Sequence, residues 1–152
     1  MDLLLWRHAD AFDARAGESD LDRALSPEGH DQARRIARWL NGVLPADLRV
    51  IASPALRALQ TAEALGRPVD TLPALAPGAS HQALLQAADW PFARRAVLVV
   101  GHQPTLGLLA AALLCGQPQH WRIRKAAVWW LRSERTATSV ACPSRSPEHE
   151  SG

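Results

Sequence analysis

The chain has 152 residues, 47% of them hydrophobic, which suits one compact domain and leaves no room for a second. Its 17 basic and 15 acidic side chains give a formal charge of +2, too little to imply a nucleic-acid partner, and no apolar run is long enough for a signal peptide or a membrane span. Cys115 and Cys142 form no C-x-x-C motif, so reduced thiols and a cytoplasmic location are expected.

Leu3, Leu4, Leu5 and Trp6 read as a first strand that runs directly into Arg7 and His8. Residues 9–25 are acid-rich and aperiodic, as expected of a loop over the strand end. Ser26-Pro27-Glu28 is a helix start, with a capping hydroxyl, a first-turn proline and an acid at the positive dipole end. Ala33, Ile36, Ala37 and Leu40 continue it as an apolar stripe, and Gly42 offers a stop. Residues 49–52 predict a short strand, and Ser53-Pro54 repeats the capping signal before a second helix. The buried face of that helix is Ala55, Ala58, Leu59, Ala62 and Leu65, which leaves Arg57 off the stripe in its first turns.

Residues 69–72 predict a third strand, and Ser80 caps a helix reaching about Asp89. Ala96, Val97, Leu98, Val99 and Val100 form the clearest strand, followed by Gly101, His102, Gln103 and Pro104. Pro104 opens an apolar helix that runs to about Cys115 and ends at Gly116. Residues 126–131 and 136–142 are β-rich runs around a polar turn, predicting an antiparallel hairpin, and residues 143–152 read as a polar tail. The expected fold is a single three-layer αβα domain over residues 1–142, its sheet mostly parallel with an antiparallel edge strand.

Two of these strands end in histidine. Ligands of open α/β sheets bind beyond the carboxyl ends of strands, so His8 and His102 are expected to face one bound group. A permanently charged guanidinium beside an imidazole, as in Arg7-His8, makes an anion site, and Arg57 near a helix N-terminus reinforces it.

In their order and placement, Leu5-Trp6-Arg7-His8-Ala9, Ser53-Pro54-Ala55-Leu56-Arg57-Ala58-Leu59-Gln60-Thr61-Ala62 and Val99-Val100-Gly101-His102-Gln103-Pro104 resemble the histidine phosphatase superfamily, also called phosphoglycerate mutase-like. The R-H-A form, the short length and the segment Asp22-Arg23-Ala24-Leu25-Ser26-Pro27-Glu28-Gly29 look most like its SixA-type phosphohistidine phosphatases. The resemblance implies that His8 is a nucleophile forming a covalent phosphohistidine that water then hydrolyses. It implies that Arg7 and Arg57 grip the nonbridging oxygens, that His102 donates a hydrogen bond to them, and that neither metal nor cofactor is needed.

The chain departs from the mutase and acid-phosphatase branches at the general acid, because Leu72-Pro73-Ala74-Leu75-Ala76-Pro77 carries no carboxylate. Asp10, Glu18 and Asp20 remain as candidates. Asp10 is favoured by its closeness to His8, either as acid or as orienter of an arginine. An alkoxide leaves as the base of an acid with a pKa near 15.7, whereas imidazole leaves with one of about 6.5. A missing acid therefore suits a phosphoramidate better than a sugar phosphate. The short span between Leu72 and Ala96 leaves no room for a covering insertion, which suits a phosphohistidine presented on a folded protein. Arg15 and Arg23 in the first loop are candidates to receive an acidic partner surface.

Other chemistries fit less well. Arg122 lies one residue too far from Cys115 for a C-x5-R loop, there is no phosphate-binding glycine loop, and His8 with Asp10 falls short of a metal-ligand set. The competing expectations are a small-molecule phosphomonoesterase and a module that binds phosphate or a phosphoprotein without turnover. His30, His81, His120 and His149 are assigned to surface or helix positions, and the tryptophans to packing, with Trp6 beneath the site.

Overall fold

The computed structural model describes residues 1–133 and 138–140. Cys142 and the expected tail lie outside the described residues. In chain order the elements are β1 (Asp2–Arg7), α1 (Pro27–Val43), β2 (Arg49–Ala52), α2 (Leu56–Glu63), β3 (Asp70–Thr71), α3 (His81–Ala87), β4 (Val97–Gly101), α4 (Thr105–Cys115), β5 (Val128–Ser133) and β6 (Thr138–Val140). Among the described residues the strands form one sheet in the order β3-β2-β4-β1-β5-β6. The β3-β2-β4-β1 neighbours are parallel, while β5 runs antiparallel to β1 and β6 antiparallel to β5.

Alternating side chains explain why helices cover both faces. Leu4, Trp6, Val50, Ala52, Leu98 and Val100 share one core with Ile36 and Leu40 of α1 and Ala58 and Ala62 of α2. Leu3, Leu5, Ile51, Val97 and Val99 share the other with Leu84 of α3 and Leu106 and Leu109 of α4. The result is the expected three-layer α/β domain.

Sequence signals and structure agree at α1 and α4. Ser26 caps α1, its Oγ accepting from the Gly29 N–H at 3.0 Å, and Gly116 closes α4 in the left-handed conformation at φ 78°. Elsewhere they differ. Gly42 stops nothing, since α1 runs on to Val43 and Leu44 closes it by donating to the Leu40 carbonyl. The third strand shrinks to two exposed residues at the sheet edge, where a single neighbour supplies the ladder.

Strand order places the site. β1 and β4 are adjacent with Arg7 opposite Gly101, and the His8 N–H donates to the Gly101 carbonyl at 3.1 Å. On the other side of β4, the Ser53 N–H donates to Val100 O at 3.1 Å. Three neighbouring strand tips thus carry Ser53, His102 and His8 in a row.

The first turn of α1 presses against this tip. A Cβ on Gly29 would sit 1.8 Å from the Asp10 carbonyl oxygen, a backbone atom that also accepts from the Ser26 N–H at 3.0 Å. Gly29→Ala must therefore push α1 off Asp10, at a cost of about 2–3 kcal/mol. We expect a drop of roughly 5–10 °C in Tm on thermal unfolding. An unchanged Tm would mean that this contact is not close in solution.

Candidate active site

His8 follows β1 and is buried, and its Nδ1 lies 2.8 Å from the carbonyl oxygen of Ala9. A carbonyl only accepts, so Nδ1 carries the proton and the neutral ring keeps its lone pair on Nε2. Burial pushes the His8 pKa down to about 4, and the charges of Arg57, Arg7 and Arg23 act in the same direction. The ring is therefore neutral at pH 7 and chemically a nucleophile.

The Ala9 peptide is itself anchored. Its N–H donates to Thr61 Oγ1 at 3.0 Å, and that hydroxyl donates to the Arg57 carbonyl one helical turn earlier at 2.8 Å. Thr61 thus ties the histidine tip of β1 to the arginine turn of α2. Its place four residues after Arg57 was legible in the sequence, but its partner on a distant strand was not.

His102 lies beside His8, the ring centroids 5.1 Å apart and the planes inclined at 57°. Its Nε2 is 2.7 Å from Ser53 Oγ, and that oxygen accepts from the Ala55 N–H at 3.1 Å. Ser53 is thus not the helix cap that the sequence suggests. Helix α2 begins later, at Leu56, with Ala55 at the cap position and no side-chain capping bond. Burial, and then the neighbouring His8 and Arg57, lower the His102 pKa to about 3.

Arg57 departs most from its sequence expectation. Although off the apolar stripe of α2, it is only 4% exposed. The cause is the 9–25 loop, which folds over it: Nη1 donates to the Asp20 carbonyl at 2.8 Å and Nη2 to Asp20 Oδ2 at 3.0 Å. Asp20 also pairs with Arg23, and these two arginines hold its carboxyl below the usual carboxylate range. Arg7 donates from Nη1 to the Ile123 carbonyl at 2.9 Å. The Nε atoms of Arg7 and Arg57 are buried with no partner among the described residues. Both guanidinium charges act on the His8 ring, so the site is a cluster of cations around a neutral imidazole.

Asp10, expected as acid or arginine orienter, is engaged elsewhere. Its Oδ2 accepts from the Ser26 hydroxyl at 2.6 Å and its Oδ1 from Lys125 Nζ at 2.9 Å. These bonds hold its carboxyl below the ordinary range, so at neutral pH it has no proton to give. The carboxylate that orients an arginine is Asp20 on Arg57. Sequence distance from His8 favoured Asp10, and the fold of the loop selects Asp20.

Residues 3–77 match the histidine phosphatase superfamily (branch 1). Over 126 residues the chain is 36% identical to the phosphohistidine phosphatase SixA of Escherichia coli (strain K12), covering 77% of this chain and 76% of that protein. The chain belongs to the histidine phosphatase superfamily. An uncharacterised protein of a Picosynechococcus species is 37% identical over 141 residues, covering 88% of this chain and 86% of its own. The structure of the protein histidine phosphatase SixA complexed with tungstate superposes with a TM-score of 0.75 at 30% identity, over 93% of this chain and 94% of that one. Membership of the histidine phosphatase superfamily accounts for the phosphoglycerate mutase-like fold and supports phosphatase activity.

The two depressed imidazoles have a consequence for stability in this histidine phosphatase superfamily member. Folded, they stay neutral to about 4 and about 3. Unfolded histidines protonate near 6.5, so below that pH the unfolded state binds protons that the folded state refuses. Stability is complete above about pH 6.5 and falls as pH drops toward the folded values. The urea midpoint is expected to decrease from about pH 7 to about pH 5, and to decrease less in His102→Gln. Equal slopes in the two proteins would show that His102 is not held neutral by the fold.

Proposed function

We propose that the chain removes phosphate from phosphohistidine on a protein, through a covalent intermediate on His8. The observation that carries this reading is a neutral imidazole, its Nδ1 proton fixed on Ala9 O, set among the charges of Arg57, Arg7 and Arg23. In the first step His8 Nε2 forms a bond to phosphorus while the bond from phosphorus to the substrate imidazole breaks. The substrate ring, protonated beforehand on its other nitrogen, departs as neutral imidazole and takes no further proton. In the second step water attacks phosphorus and loses its proton to solvent, the Nε2–P bond breaks, and inorganic phosphate and neutral His8 remain. Arg7 and Arg57 balance the charge of the nonbridging oxygens throughout. With the Ser53 hydroxyl donating to His102 Nε2, His102 keeps its proton on Nδ1 as a further donor to those oxygens.

The phosphoramidate substrate is favoured by the state of the acids. Asp10 and Asp20 are held ionised by their own partners, and the 72–77 turn contains no carboxylate. An imidazole leaving group tolerates that, but an alkoxide does not. The test is phosphate release from a phosphohistidine-bearing phosphotransfer domain, an aryl phosphate and 3-phosphoglycerate, each with chelator present. Release from the domain with none from phosphoglycerate is expected. Preferential release from phosphoglycerate would make the protein a small-molecule phosphomonoesterase, and silence on all three would leave a binding module.

A further inference from the structure

We propose that residues 121–125 form a basic docking lip on which Arg122 reads the acidic surface flanking the phosphorylated side chain of a folded protein substrate. The inference rests on the phosphoprotein reading above. Trp121-Arg122-Ile123-Arg124-Lys125 places three cations within four positions, and one of them is the only lysine of the chain.

The lip is built onto the site. The Trp121 carbonyl accepts from Gln103 Nε2 at 2.8 Å, and the Ile123 carbonyl accepts from Arg7 Nη1 at 2.9 Å. Arg122 is thus framed on both sides by backbone bonds to residues that follow or end the histidine-bearing strands. Just beyond it, the Ala126 N–H lies 3.0 Å from the Arg7 carbonyl and 3.2 Å from that of His8. Ile123 is fully buried between its two arginine neighbours, so the segment is held in place rather than hanging free.

The three cations differ in what they hold. Lys125 is committed to Asp10, and Arg124 is half-buried. Arg122 is exposed and has no ion pair among the described residues. Its charge is also felt by Arg7, whose pKa is lowered by burial and then by Arg122. An exposed cation close to Arg7 gives an acidic group of a bound protein a place beside the site.

The first loop adds an apolar surface. Phe12 and Leu21 are 52% and 44% exposed, two of the four large hydrophobic side chains left open among the described residues. Both lie on the loop whose Asp20 holds Arg57, and Arg23 of that loop donates from Nε to the Phe12 carbonyl at 2.7 Å. A basic segment bonded to Arg7 and an exposed apolar pair on the loop that holds Arg57 suit a protein surface that carries both acids and apolar side chains.

Arg122→Glu separates this role from the phosphate grip. On a phosphohistidine-bearing phosphotransfer domain we expect kcat/KM to fall by about tenfold or more, mainly through KM, with aryl phosphate turnover within about twofold of wild type. The wild-type rate on the domain should fall as salt rises from about 0.02 to about 0.2 M, and the variant should lose most of that dependence. Equal loss on both substrates, or no loss on either, overturns the lip. A wild-type enzyme that clears aryl phosphate but not the domain overturns the substrate reading instead, and the lip with it.

Discussion

Replacing His8 by alanine is expected to reduce turnover by at least about 10,000-fold on every substrate the protein accepts, because the exchange removes the nitrogen proposed to bond phosphorus. Arginines and His102 would still bind phosphate, so the variant should retain affinity while losing kcat. Its fold should survive. Among the described residues the His8 ring makes one hydrogen bond, to its neighbour Ala9, whereas the backbone tip is held independently by Gly101, Thr61 and Ala126. Equal substrate affinity with no turnover, in a protein of near wild-type Tm, is the predicted outcome. Turnover that persists in His8→Ala but disappears in His102→Ala would move the nucleophile to the other strand.

The second large effect is expected at Arg57. Arg57→Ala removes a buried guanidinium that shares a cage with the reacting imidazole, and loss of one such donor costs about 100- to 1,000-fold in kcat. Arg57→Lys should recover little of this. A lysine supplies charge but not the planar fork that lets Nη1 and Nη2 both sit on Asp20 and fixes the guanidinium beside His8. Stability is expected to change modestly, since truncation also removes a desolvated charge and leaves its partner Asp20 open to water. A lysine variant with most of the wild-type activity would show that Arg57 acts as a point charge and not as a planar clamp.

Reading the fold from the sequence succeeds where the physics is local. The unbroken apolar runs before Arg7 and Gly101 can only be strands buried on both faces, and their adjacency brings His8 beside His102. Ser26-Pro27 at α1 and Gly116 at α4 act through bonds within a few residues, so they too are legible. Ser53-Pro54 shows the same local signal as Ser26-Pro27, yet its hydroxyl serves His102, 49 residues away. Arg57 was placed on the polar side of its helix, as periodicity dictates. What buries it is a separate loop, and a helical wheel records nothing of other segments. The exchange of roles between Asp10 and Asp20 has the same origin, because a loop of sixteen or so residues decides its contacts by its closing path and not by counting from the histidine.

The bonds around Ala126 also bear on when the site comes into being. Trp6 Nε1 donates to the Ala126 carbonyl across 120 positions of chain, and Arg7 reaches Ile123 across 116. The proposed nucleophile is thus synthesised long before the segment that fixes its strand tip. Contacts of such separation form late, since the chain entropy of closing the loop must be met before they stabilise anything. Phosphatase activity should therefore appear only with the final docking of β5 against β1, which makes catalysis a late and stringent readout of folding rather than a property of any partly folded core.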